Sequence, residues 1–397
     1  VLNIFCIRPR GFNIGNEVIH QGTLALVRGA FGSQVNVISL PATSRYESHA
    51  KAGLTARTIH EINQYGHGVI VGGGNLFENG ELEMDSAALG ALDVPLMLFS
   101  LGAGRIYNRR RRLTLRTDAM PPDRIRAICD RAEVTLVRDD RTAAYLRSAG
   151  CNDVVAAGCP SLLLADHSRH TVDGAGQPDG GAPQVLISIR TPELMNIPLP
   201  DQARVRGDVR AIMELLRDRG FSDVKLLCHD HRDLPFAASF GDVEYLYTDD
   251  VLTYLDWLRS CRLHIGYRLH ATLPCMVMGT PAISISYDER AISLLETAGV
   301  GRWDINMIET PDVADRVADR LDRIDELVSL RQDAATQWKE LQSRMNEGFD
   351  RFARTVLEVK QKQANHDDAT RLLTATSPRR SARAVREAVA AVREHVR

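Results

Sequence analysis

The 397-residue sequence has no surplus of either charge. Its 49 Lys and Arg face 51 Asp and Glu, a formal net charge of -2, so nothing draws the whole chain toward nucleic acid or an anionic membrane. It also lacks paired thiols. The seven cysteines (Cys6, Cys129, Cys151, Cys159, Cys228, Cys261 and Cys275) contain no C-x-x-C, and their odd number argues for reduced thiols in a cytoplasmic protein. No apolar run reaches the roughly 18 residues that a spanning helix needs. The first residues read as a strand rather than as a signal peptide. G-x-S-x-G, H-E-x-x-H and a phosphate loop ending in Gly-Lys-Ser/Thr are absent. The first strand-to-helix turn does not match G-x-G-x-x-G, so a dinucleotide site is not indicated.

What remains is an ordinary globular composition, 44% hydrophobic and 25% charged, on a chain long enough for two cores. Short apolar runs alternate with helix-like segments. Strands are expected at 1–7, 34–40, 67–71, 95–101, 134–138 and 154–157, with helices at 17–31, 122–131 and 141–148. Residues 166–183, rich in Gly, Asp, His and Pro, read as a linker. Alternation then restarts, with strands at 184–189, 224–228, 263–266 and 281–286 and helices at 201–219, 251–260, 269–278 and 289–298. Continuous apolar strands between helices predict buried parallel sheets. The expected fold is therefore α/β, with two doubly wound Rossmann-like domains, 1–165 and 184–310, facing a cleft. Residues 311–397 read as a helical extension that ends in a basic amphipathic tail.

Chemistry-bearing residues gather at the predicted strand ends. In Leu263-His264-Ile265-Gly266-Tyr267-Arg268-Leu269-His270 a strand runs out at Gly266, and Arg268 and His270 open the next helix. A guanidinium fork suits phosphate or carboxylate, an imidazole titrates near neutrality, and a helix N-terminus favours an anion. Ser188-Ile189-Arg190 closes another strand, and His229 lies in Cys228-His229-Asp230-His231-Arg232-Asp233 after a third. That polar run lacks the spacing of a zinc motif, and no metal site is expected. In the first half, three turns carry Asn13, Asn16 and Glu17, then Gly73, Gly74 and Asn75, then Gly102 and Gly104. Glycines at strand ends let a ligand approach the backbone closely. Arg105, Arg109, Arg110, Arg111, Arg112 and Arg116 form a basic stretch, read as a solvated or mobile loop without the interleaved aromatics of nucleic-acid binding. Asp139 or Asp140 is expected to cap the helix that follows.

Taken in order, these motifs resemble the polysaccharide pyruvyl transferase family. The resemblance rests on Asn13-Ile14-Gly15-Asn16-Glu17, the two glycine turns, Arg138-Asp139, Gly158-Cys159-Pro160-Ser161, Ser188-Ile189-Arg190, His229, Gly266-Tyr267-Arg268-Leu269-His270, Gly279-Thr280-Pro281 and Tyr287-Asp288. Two positions depart from the family pattern: the first turn reads Gly15-Asn16-Glu17 where the family more often shows Gly-Asp, and Cys159-Pro160 stands where many members have Asp-Pro. The resemblance implies a fold like the two-domain glycosyltransferases (GT-B-like), no cofactor, and phosphoenolpyruvate as co-substrate. A pyruvate ketal would form on a sugar, or on a lipid-linked glycan precursor, with release of phosphate. It implies donor contacts from Arg190, Arg268, Ser188, His229 and Tyr267, and a protonated His270 as general acid. The base is left open among Asp139, Glu17 and His229. Two alternatives remain: a nucleotide-sugar glycosyltransferase on the same architecture, and a non-catalytic binding subunit. The expected location is cytoplasmic, with peripheral contact at the inner membrane face and homo-oligomerisation left open.

Overall fold

The computed structural model describes residues 1–45, 51–164 and 184–375. The expected linker at 166–183 and the basic tail at 379–397 lie outside the described residues.

The first sheet is built from β1 (Leu2–Arg8), β2 (Val35–Pro41), β3 (Gly68–Gly74), β4 (Leu96–Leu101), β7 (Val134–Val137) and β8 (Val154–Ala156), in the order β2-β1-β3-β4-β7-β8. Two short strands, β5 (Ile106–Tyr107) and β6 (Leu113–Thr114), pair as a separate antiparallel hairpin. The second sheet uses β9 (Val185–Ser188), β10 (Val224–Leu227), β11 (Tyr245–Leu246), β12 (Leu263–Gly266), β13 (Ala282–Ser286) and β14 (Ile305–Asn306). Its order is β11-β10-β9-β12-β13-β14, and every pairing in both sheets is parallel. Parallel strands need crossovers, so helices cover both faces and the strands read as unbroken apolar runs. β3 and β4 are buried along their whole length. In each sheet the order reverses at one place, between β1 and β3 and between β9 and β12. Ligands of open α/β sheets sit beyond the carboxyl ends of strands at such a reversal.

Two features bind the halves together. The basic stretch after β4, expected as a solvated or mobile loop, is instead the β5–β6 hairpin clasped onto the second half. Arg105 holds the buried Glu289 through Nε at 2.8 Å and Nη2 at 2.5 Å. Tyr107 sinks into the second core and donates to Glu309 at 3.0 Å, and Arg111 reaches the buried Asp201 at 2.8 Å. Arg141 adds a second guanidinium to Glu289 at 3.1 Å.

The other feature is the helix Ile324–Ala375. Its apolar stripe, Leu327, Leu330, Ala334, Trp338, Leu341, Met345, Phe349, Phe352 and Val356, steps by three and four residues and is buried throughout. Trp338 donates to the Ala298 carbonyl at 2.8 Å, in the second half. Phe349 meets Phe99 of β4 edge-on, ring centroids 4.8 Å apart, in the first. The expected extension thus packs into a core that both halves share. Phe349→Ala should destabilise the protein by about 3–5 kcal/mol, the cost of emptying a buried aromatic site, as measured by urea denaturation.

Candidate active site

The two sheets turn their carboxyl ends toward each other across a cleft of about 390 Å³. Loops after β1, β3 and β7 supply Phe12, Asn13, Asn75 and Arg138, and loops after β9, β10, β12 and β13 supply Arg190, His229, Tyr267, Arg268, His270 and Asp288. Both reversal points therefore face the same space.

On the second-half wall, Arg268 is the N-cap residue of the helix Leu269–Met278. Its side chain is almost wholly buried. Nε donates to the Ile189 carbonyl at 3.0 Å, and Nη2 donates to Asp233. The expectation of a free Arg268 fork for the donor is corrected accordingly: two of its three nitrogens are committed to the protein. Arg190 differs. Its Nη1 lies 3.5 Å from Asp230 and 3.7 Å from Asp233, yet this buried nitrogen makes no hydrogen bond. Burial and the nearby Arg268 lower its pKa to about 10, which leaves it charged at neutral pH. Asp230 is engaged by Arg232 through both oxygens. Burial would raise the Asp230 pKa, but the Arg232 hydrogen bonds outweigh it and hold the group at about 2.

His229 faces the cleft, with its ring against Tyr254. Tyr254 donates its one proton to the His270 carbonyl at 3.1 Å, so His229 Nε2–H is the donor in the 2.8 Å contact to the Tyr254 oxygen. Tyr267 lines the cleft, but its hydroxyl is buried without a partner. Ser188 is fully buried, bonded to His264 at 3.0 Å, and is not among the lining residues. Its expected donor contact is a correction, because its side chain packs inside the sheet beside Gly266.

On the first-half wall, Arg138 directly follows β7 and is 1% exposed. Nη1 donates to Asn75 at 3.1 Å, while Nε and Nη2 have no hydrogen-bond partner. A Cβ on Gly102 would lie 2.5 Å from Arg138 Nη2, so glycine is what lets this guanidinium reach the cleft. Gly104 donates its N–H to Glu78 at 2.9 Å. Burial raises Glu78 to about 7 against the opposing effect of Arg290 and Arg138. Gly73 and Gly74 belong to the end of β3 and pack on Ile19 and Pro9. These four glycines support the cleft from behind rather than line it, which corrects their expected role. Glu17 is also displaced from its expected place, since Arg8 holds it at 2.7 Å. Asn16 does line the cleft, and Asn13 both lines it and caps the helix Ile14–Phe31, accepting from Gly15 N at 3.0 Å. Arg290 lines the cleft, bonded to Asp288 and 3.3 Å from Glu78. Asp139, once a candidate base, is the N-cap of the helix Asp140–Ser148 and also accepts from Ser293 at 2.7 Å.

His270 sits where these walls meet. Burial first, then the guanidiniums of Arg138, Arg268 and Arg290, push its pKa down to about 3. The ring is neutral in the free protein, and the expected protonated acid is the form beside a donor's two anions. A bound dianion would offset the three cations and draw a proton onto the ring.

A model of the polysaccharide pyruvyl transferase family matches residues 13–289, well over half of the chain. The chain belongs to the polysaccharide pyruvyl transferases. No curated protein matches it in sequence. Solved structures show this family member's fold at low identity. A UDP complex of S. aureus MnaA has a TM-score of 0.54 at 12% identity, covering 83% of this chain and 91% of that one. UDP-GlcNAc 2-epimerase from Neisseria meningitidis, bound to UDP-GlcNAc, has a TM-score of 0.53 at 9% identity, covering 91% and 100%. The Rickettsia bellii UDP-N-acetylglucosamine 2-epimerase has a TM-score of 0.53 at 12% identity, covering 93% and 98%. The pyruvyl transferase chain therefore has the GT-B-type arrangement of two parallel α/β units. Among the described residues no helix is long and apolar enough to cross a membrane.

Of the expected site residues, the structure gathers Arg190, Arg268, His229, Tyr267, His270, Asn13, Asn16 and Asn75 at one cleft. Sequence reasoning passed over Arg138 and Arg290 as site residues. Arg138 follows an apolar strand just as Arg190 does, and that rule applied evenly would have found it.

The buried histidines give the fold an acid limit. Burial lowers His264 to about 3 from an ordinary 6.5, and burial together with Arg268 keeps His229 well below 6.5. Unfolded, both bind protons that the folded chain refuses, so stability falls as pH drops below 6.5. Each should cost about 1 kcal/mol between pH 6.5 and 5.5, approaching about 1.4 kcal/mol per pH unit well below 6.5. Urea denaturation at pH 6.5 and 5.5 should show this loss, with a shallower slope in His264→Gln.

Proposed function

We propose that this protein transfers the pyruvyl group of phosphoenolpyruvate onto two hydroxyls of a sugar, in a cell-surface polysaccharide or its lipid-linked precursor. The products are a pyruvate ketal and phosphate. The observation that carries this reading is a pair of buried guanidiniums with unmet N–H groups, Arg138 and Arg190, on opposite walls of one cleft that His270 also lines. Each has a carboxylate only at long range, Asp139 3.6 Å from Arg138 Nε and Asp230 and Asp233 3.5 and 3.7 Å from Arg190 Nη1, and a carboxylate and a phosphate on one small molecule would give both the hydrogen bonds they lack.

In this account Arg138 and Arg190 take the two anionic groups, and Arg268 adds field while Asp233 fixes its orientation. The bound anion brings a proton to His270. That proton passes to the methylene carbon, which becomes a methyl group and leaves cationic character on the carbon bearing phosphate. One sugar hydroxyl adds there, phosphate departs, and the second hydroxyl closes the ketal. Of the two hydroxyl protons, one restores the proton His270 gave and the other leaves with phosphate. No cofactor or metal enters the scheme. Arginine at the anion sites matters because a planar fork holds two oxygens where an ammonium holds one.

Thermal denaturation tests the donor. Phosphoenolpyruvate at about 100 times its Kd should stabilise the protein by about 2.7 kcal/mol. Stabilisation by UDP, with none by phosphoenolpyruvate, would overturn the reading. Arg138→Lys and Arg190→Lys should each weaken donor binding about 10-fold or more, the value of a lost charge-assisted hydrogen bond. His270→Ala should keep donor binding and lose at least about 100-fold in acceptor-dependent phosphate release; unchanged turnover would remove His270 from its role.

A further inference from the structure

We infer that Cys159 is a positioning residue for His270: its thiol occupies imidazole Nε2 and so keeps the ring proton on Nδ1. The contact is direct, with Sγ 3.7 Å from Nε2. Cys159 is fully buried and follows the strand β8. Ser161 donates its hydroxyl to the same sulfur at 3.1 Å. That hydroxyl occupies an acceptor side of the sulfur, which leaves the S–H to be given away; Ser100, whose own proton goes to the Gly158 carbonyl, also stands beside the thiol, but Nε2 is the acceptor in hydrogen-bond geometry with it. Burial raises the thiol pKa above its ordinary value, so the group stays a neutral donor.

A neutral imidazole that accepts at Nε2 must carry its proton on Nδ1. Nδ1 hydrogen-bonds to no described residue and is not a buried unpartnered atom, so it is the nitrogen left for a ligand. The ring is seated from two further sides. Gly15, in the first turn of the helix Ile14–Phe31, leaves room that a Cβ would take, 3.3 Å from Nδ1. Tyr254 ties the His270 carbonyl at the non-helical position where the helix Leu269–Met278 kinks.

The charged groups acting on the ring are Arg138 from the end of β7, Arg268 from the end of β12 and Arg290 from the helix Glu289–Thr297. All three disfavour the imidazolium. A carboxylate in place of the thiol would favour it and would accept only, pulling the proton to Nε2. A thiol can give a hydrogen bond to the neutral ring and accept one from the protonated ring. It therefore lets the ring charge only when an anion arrives. That Nδ1–H is the proton delivered to the donor rests on the proposed transfer; the tautomer itself does not.

Long-range 1H–15N spectra of histidine-labelled protein read the tautomer without any turnover. The His270 signal is assigned by its loss in His270→Gln. At neutral pH the wild type should show the Nδ1–H form, and Cys159→Ser should keep it. Cys159→Ala should give a mixture of tautomers, with acceptor-dependent kcat lowered about 10-fold while KM for phosphoenolpyruvate stays within about 2-fold, a loss of proton-transfer geometry rather than of binding. Cys159→Asp should move the proton to Nε2 and raise the ring's pKa by about one unit or more. If that buried carboxylate prevents folding, the Ala and Ser variants carry the test. A wild-type Nε2–H form, or an unchanged tautomer in Cys159→Ala, overturns the proposal. Absence of phosphoenolpyruvate turnover in the wild type would instead sink the transferase reading and leave the tautomer result standing.

Discussion

Guanidinium groups repel one another, and the cleft is lined by Arg10, Arg45, Arg116, Arg138, Arg190, Arg232, Arg268 and Arg290. The fold makes this tolerable by standing carboxylates against them: Asp233 against Arg268, Asp230 against Arg232, Asp288 and Glu78 against Arg290, Asp118 against Arg116. These pairings are made almost entirely within the protein, and they leave two buried guanidiniums incompletely met, one on each wall. Unmet buried guanidinium nitrogens occur elsewhere among the described residues, as at Arg259 and Arg331, but Arg138 and Arg190 are the two that line the cleft. The low pKa of His270 follows first from its burial and then from the same crowding. Cation repulsion, burial and the waiting proton donor are consequences of one arrangement.

That arrangement needs the two walls at a fixed separation. Rossmann-type units joined only by a linker would be free to hinge. Here Glu289 is gripped by Arg105 and Arg141 from the opposite half, and its chain neighbours Asp288 and Arg290 line the cleft. The backbone N–H of Ile14 donates to the His229 carbonyl at 2.9 Å, a further tie from one wall to the other. The long C-terminal helix closes the same gap from behind, with Trp338 on one half and Phe349 on the other. The ties sit directly beside the site, so a change in domain spacing would be felt first by Arg290 and His270.

Much of the sheet architecture was legible because strand and helix periods differ and each buried strand is a continuous apolar run. Helix 269–278 was readable because Gly266 ends a strand and Gly279 ends the helix. Helix Ala56–Tyr65 escaped notice because only Ile59, Ile62 and Thr58 face the core and Thr55 makes no side-chain cap bond. The hairpin at 106–114 was hidden by its arginines; the signal was Tyr107 and Leu113, two apolar residues placed to bracket a turn. The stripe along 327–356 was present in the spacing, but charge density on the other faces obscured it. At the site, residue type showed which groups could bind an anion. It could not show that Asp233 occupies Arg268, that Ser188 points into the sheet, or that burial strips His270 of its proton. Those facts depend on neighbours distant in sequence.

The measurement that bears most directly on this account is a crystal structure of the phosphoenolpyruvate complex. The account predicts one donor molecule in the cleft, its phosphate and carboxylate divided between the Arg138 and Arg190 guanidiniums, and His270 Nδ1 within hydrogen-bond or proton-transfer reach of it. A donor bound with both anionic groups away from Arg138 and Arg190, or bound outside the cleft altogether, would contradict it.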